Sequence, residues 1–144
     1  MRREQILLVT TLSLALLLSP GRSAKGEEGG VLFEGTWTRG GYSIEGSWKI
    51  VEQGGKLFLV LDEDFKTRRA PDLKIFLSPL PLDEVGDRNA TLGSALVASL
   101  VRAKGAQRFA LGEEVDLGAF RSLLIHCESF SKYWGGSRLG PRAP

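Results

Sequence analysis

Short runs of alternating apolar and polar residues occupy most of the chain after residue 30, with glycine, proline or acidic clusters between them. The clearest period of two lies in residues 42–51 (YSIEGSWKIV). There Tyr42, Ile44, Trp48 and Ile50 share one face, and Ser43, Glu45, Ser47 and Lys49 the other. Such alternation predicts a strand with one buried and one wet face. Residues 33–37 (FEGTW) form a shorter run that ends at Arg39-Gly40-Gly41. Residues 52–55 (EQGG) have the chemistry of a hairpin loop. Residues 56–61 (KLFLVL) are apolar on both faces, which predicts a central strand. Residues 73–78 (LKIFLS) follow the turn Ala70-Pro71-Asp72, and Pro79, Pro81 and Gly86 then make a loop.

Residues 92–103 (LGSALVASLVRA) fit two patterns, a helix of about three turns or a strand interrupted at Gly93. Residues 105–111 read as a strand, 113–120 as one helical turn, and 123–130 as the last strand. About seven short strands, hairpin loops and little helix predict an all-β fold: a single-domain antiparallel β-sandwich, or something barrel-like. The domain spans residues 31–139. Residues 24–30 read as a flexible linker and 140–144 as a loose, proline-containing tail.

The first residues differ from the rest. Met1-Arg2-Arg3 is basic, residues 6–18 (ILLVTTLSLALLL) carry no charge, and Ser19-Pro20-Gly21 would break a helix. This is the order of parts in a secretory signal peptide. The apolar run falls short of the about 20 residues that span a bilayer, which argues against an uncleaved anchor. Cleavage after Ser23 is preferred over cleavage after Gly26. The expectation is an exported protein, periplasmic or secreted, with no membrane span in its mature form.

The chain has 144 residues and a net charge of +2. Removal of the leader brings that close to neutrality, so charge points to neither a nucleic acid nor a membrane surface as partner. One cysteine and one histidine are present, adjacent at His126-Cys127. No internal disulfide can form. An odd thiol in an exported chain is buried, intermolecular, ligating or reactive.

Several chemistries lack their residues. A metal site of side chains normally takes three or four ligands, and neighbours in a strand point to opposite faces. His126 and Cys127 therefore neither chelate one ion nor form a nucleophile–base pair. The chain has no C-x-x-C-H, no G-x-S-x-G and no phosphate loop. Asp62-Glu63-Asp64 lacks the alternating acidic pattern of a calcium loop and reads as a solvated turn. Asn89-Ala90-Thr91 is a glycosylation sequon, relevant only in a eukaryotic secretory pathway.

In the last predicted strand, Leu123, Ile125 and Cys127 share a face, and Leu124, His126, Glu128 and Phe130 take the other. On pattern alone Cys127 is a small buried hydrophobe and inert. His126 is a polar residue on the wetter face.

Two segments carry a family resemblance. Residues 70–78 (APDLKIFLS) are similar to the "gPDL-x-vyLs" segment of the DM13 domain. Residues 123–130 (LLIHCESF), with Trp134 and Ser137-Arg138-Leu139 after them, resemble its closing block around a cysteine. Phe33-Glu34-Gly35, residues 40–46 and residues 105–109 fit the family's other strands. The resemblance implies a secreted or cell-surface β-rich domain, found elsewhere beside DOMON and cytochrome b-type modules. It also implies a redox role for one cysteine, as a naked thiol or as a ligand to a group such as haem. That role carries over to Cys127 only, since the family commonly has an aromatic residue where this chain has His126.

A working thiol must be reachable and have a pKa below the free value of about 8.5. Arg121 and Lys132 are basic neighbours in sequence, and Glu128 opposes them. A haem held by Cys127 would need an apolar slot, for which Trp37, Trp48, Phe130 and Trp134, with Phe33 and Tyr42, are the candidate lining. The expected function is a redox-associated, electron-transfer module without catalytic turnover, working with a redox or cell-surface protein partner. An accessible Cys127 would give a disulfide-linked dimer on oxidation. The alternative is a binding or structural module in which Cys127 is core.

Overall fold

The computed structural model describes residues 30–140. The leader, nearly all of the linker and the tail lie outside the described residues. Eleven strands follow in order: β1 (Val31–Thr36), β2 (Thr38–Arg39), β3 (Ile44–Glu45), β4 (Ser47–Gln53), β5 (Lys56–Leu61), β6 (Lys66–Thr67), β7 (Leu73–Ser78), β8 (Ala95–Ser99), β9 (Gln107–Ala110), β10 (Ser122–Cys127) and β11 (Lys132–Arg138). They form one sheet in the order β1-β4-β5-β9, a second in the order β2-β11-β10-β7-β8, and a small pair β3-β6. Every pairing is antiparallel. Neither larger sheet closes on itself, so the all-β expectation holds in its open form, without a barrel.

One main core joins the two larger sheets. Trp48 and Ile50 of β4, Leu59 and Leu61 of β5 and Phe109 of β9 come from the first. Leu73, Ile75 and Leu77 of β7, Leu123, Ile125 and Cys127 of β10 and Trp134 of β11 come from the second. The period-two faces read from the sequence supply these residues, because side chains on alternate positions leave a strand on the same side.

Residues 42–51 are not one strand. Gly46 has φ +108°, and a Cβ there would stand 2.6 Å from the Phe65 Cα. The left-handed turn that only glycine takes comfortably hands the chain from β3 to β4. Ile44 and Trp48 keep the inward face while belonging to different sheets. Residues 92–103 contribute strand β8 from Ala95 to Ser99, at the edge of the five-stranded sheet. Residues 113–120 hold only a short 3-10 turn, Leu117–Ala119.

The last predicted strand ends at Cys127, three residues early. Residues 128–131 turn the chain, and β11 returns beside β10. Position 135 needs glycine, because a Cβ there would lie 2.7 Å from the Thr38 carbonyl oxygen and closer still to Ile44.

The outer face of the five-stranded sheet is also covered. The loop after β7 lays Leu82, Val85 and Ala90 over Phe76, Leu124 and Tyr133. Asn89 ties this loop together: its Oδ1 accepts from the Gly86 amide at 2.8 Å, and its Nδ2 donates to the Glu84 carbonyl at 2.9 Å. The sequon asparagine therefore uses both ends of its amide within the loop.

Candidate functional site

Cys127 is the last residue of β10, with Leu73 of β7 on one side and Lys132 of β11 on the other. Its exposure is 0%, and it packs in the main core. The turn that follows is fastened to the residue before β7. Asp72 Oδ2 accepts from the Ser129 amide at 3.1 Å and from its hydroxyl at 2.9 Å. The Glu128 amide donates to the Asp72 carbonyl at 3.2 Å. Lys74 bridges the carboxylates of Asp72 and Glu128. The Ser129 hydroxyl, with the Lys74 ammonium, holds the Asp72 carboxyl below the usual carboxylate range.

The charged neighbours expected to tune the thiol are committed elsewhere. Lys132 donates to Asp87 Oδ2 at 2.8 Å, and Glu128 faces Lys74. Arg121 precedes β10 while Cys127 ends it. Six residues of strand put about 20 Å between them at roughly 3.3 Å each.

The four aromatic residues expected to line a slot part company. Trp37, Trp48 and Trp134 are buried in the main core. Trp37 meets Phe65 edge to face, with 6.0 Å between ring centroids. Trp134 stacks on Tyr42 at 3.9 Å and donates from Nε1 to Thr67 Oγ1 at 2.9 Å. Phe130 is 59% exposed, because the strand stops at Cys127 and places it in the turn. None of the four, nor Cys127, lines the basic cavity described below or the groove between β8 and residues 112–120. A haem held through Cys127 does not fit: the thiol is enclosed by packed side chains, and the tryptophans occupy the space a slot would need.

His126 is not on a wet face. It is 4% exposed, because the loop carrying Asp87 covers that side of the sheet. Phe76 meets it edge-on, with 6.2 Å between ring centroids, and its Nδ1 is buried without a hydrogen-bond partner. Burial lowers its pKa from the ordinary value, while the charges of Asp87 and Glu128 pull the other way.

Sequence reasoning missed a cavity of about 640 Å³. Its walls are Lys66, Thr67, Arg69 and Ala70 on one side and residues 100–104 on the other, and Leu73 and Leu100 lie at its base. Leu73 is the direct cross-strand partner of Cys127. The signal available in sequence was the basic character of Lys66, Arg69, Arg102 and Lys104. It was hidden because the two groups are more than 30 residues apart.

A family model described as Electron transfer DM13 matches residues 36–139, most of the chain and nearly all of the folded part. No curated protein and no solved structure matches it.

Proposed function

The chain belongs to the DM13 electron-transfer family, and from that premise we propose that it is an exported, non-catalytic module that offers a redox or cell-surface protein partner a binding surface, with Cys127 as a core residue. The observation that carries the reading is the complete burial of Cys127 in the main core. A buried thiol keeps its proton and is inert. Electron transfer thus enters through the partner, and the module's part is recognition.

A second reading is supported by one observation: Cys127 is a terminal strand residue, followed at once by the short turn 128–131. Opening of that turn would release a thiol without unfolding the sheets. Two such chains, treated with diamide, would join as one disulfide. Their two thiols would lose two protons and two electrons, and the diamide would become its hydrazine. The deciding experiment is the rate at which a thiol reagent labels Cys127, native against urea-unfolded. Labelling only on global unfolding supports the core reading. Labelling in native conditions, with a dimer on a non-reducing gel after diamide, supports the gated thiol.

Export rests on the order of residue types in residues 1–23. Chain recovered from the extracytoplasmic fraction should begin at Ala24. Recovery of the intact leader in the cytoplasm would overturn that part.

A further inference from the structure

The cavity above Leu73 has a consistent chemistry. Four cations, Lys66, Arg69, Arg102 and Lys104, stand around it, and its lining contains no carboxylate. Among the described residues none of the four takes part in an ion pair, whereas Lys49, Lys74 and Lys132 each pair with a carboxylate. The acids near them in sequence are engaged elsewhere: Asp64, two residues before Lys66, accepts from the Ser47 amide and hydroxyl, and Asp72, three after Arg69, is occupied by Lys74 and Ser129. Glu45 stands opposite Lys66 in the β3–β6 register, where both residues are exposed and form no ion pair. Beneath the cations the base is apolar, with Leu73 and Leu100, and Val101 is exposed at the mouth.

The wall is also preformed. Gln107 is buried, and its side chain holds the loop that carries two of the cations. Its Oε1 accepts from the amides of Val101 at 3.2 Å and Arg102 at 3.0 Å, and its Nε2 donates to the Arg102 carbonyl at 2.9 Å. The Thr67 amide donates to the Ala103 carbonyl at 2.8 Å, and the Leu100 amide to the Leu73 carbonyl at 2.8 Å, which join the two walls. A fixed concave site of this size, apolar at the base with polar groups converging at the rim, is the usual form of a small-molecule site. Unpaired cations around a low-dielectric wall focus a field that draws anions.

The geometry points to a binding site for a small amphipathic anion: an aromatic or other flat apolar body on Leu73 and Leu100, carrying at least two sulfonate, carboxylate or phosphate groups that meet Lys66, Arg69, Arg102 and Lys104. The site stands apart from the fate of Cys127, since the thiol does not line it.

The test titrates the full domain with the fluorescent aromatic disulfonate bis-ANS. One site per chain is expected, weakened by raised salt because its cations are exposed. The double variant Arg69→Gln/Lys104→Gln should bind about tenfold more weakly, the size expected from two lost surface charge contacts. Leu96→Ser, at an exposed position of β8 in a separate groove lined also by Val115 and Phe120, should bind like the parent. Thermal melting of each variant checks the fold, and Arg102→Gln provides a second charge removal. Tripolyphosphate, which has charge and no apolar body, should compete only weakly. Undiminished bis-ANS binding by the folded charge variants overturns the proposal, as does tripolyphosphate binding as tight as that of bis-ANS.

Discussion

Asp72 and Ser129, 57 positions apart in sequence, are joined by two hydrogen bonds to a single carboxylate oxygen, 2.9 Å from the hydroxyl and 3.1 Å from the amide. Asp72 lies one residue before β7, and Ser129 lies in the turn that leaves β10. The pair therefore stitches the turn to the neighbouring strand, two residues after the buried Cys127. Asp72→Ala should speed native labelling of Cys127 by about tenfold, since loss of its charge-assisted hydrogen bonds to Ser129 favours the open turn. Ser129→Ala removes only the hydroxyl contact and should give a smaller rise. Equal labelling rates in both variants and the parent would show that the turn does not gate the thiol.

Substitution of Cys127 separates packing from chemistry. The side chain is enclosed by the apolar residues of β7, β10 and β11. Cys127→Ala leaves a small cavity and should cost about 1 kcal/mol. Cys127→Ser keeps the volume but buries a hydroxyl among apolar groups, at about 1–3 kcal/mol. Urea unfolding midpoints should fall in the order parent, alanine, serine. A serine variant as stable as the parent would mean that water reaches this position.

His126 makes stability depend on pH. Its neutral ring is favoured in the folded chain, since burial lowers its pKa from 6.5. The unfolded chain takes up the proton near pH 6.5 and the folded chain only at lower pH. In between, the unfolded state binds more protons, so stability is complete above about pH 6.5 and falls as the pH drops below it. The charges around it are Asp87 and Glu128, with Lys132 and Lys74 paired to them, and Tyr133 lies beside it in the outer cluster. The Asp72 and Asp87 carboxyls sit below their ordinary values and titrate in a lower range. The urea midpoint should fall from pH 7.5 to 5.5 in the parent and much less in His126→Phe. A parallel fall in both would assign the effect elsewhere.

Much of this fold is legible in alternation. Residues 56–61 and 73–78 read as strands and are β5 and β7 to the residue. The stripe of Leu123, Ile125 and Cys127 does face the core. Strand β11 left no such trace, because Gly135 and Gly136 replace the side chains whose alternation would reveal it, and their reason is close packing. Strands β2, β3 and β6 have two residues each, too few to show a period. His126 looked wet because sequence alternation describes one sheet, while its burial comes from a loop some 40 residues earlier. The basic cavity is a product of β6 meeting the segment after β8, a pairing that local pattern does not contain.

Trp134 ties these remote segments together. Its indole lies on β11, stacks on Tyr42 and donates to Thr67 of β6. Thr67 in turn donates from Oγ1 to the Ser43 carbonyl at 3.0 Å, an oxygen that also accepts from the Arg68 amide. Thr67→Val keeps the shape but leaves the buried indole N–H without an acceptor, while the Ser43 carbonyl keeps a donor. The cost should be about 1–3 kcal/mol, the desolvation penalty of an orphaned donor. Trp134→Phe removes the donor together with part of the ring. The double variant should then lose less than the sum of the two single losses, because no indole N–H is left to orphan. Urea midpoints of the four proteins measure that difference, and strict additivity would mean that the Trp134–Thr67 bond contributes nothing to the joint between β6 and β11.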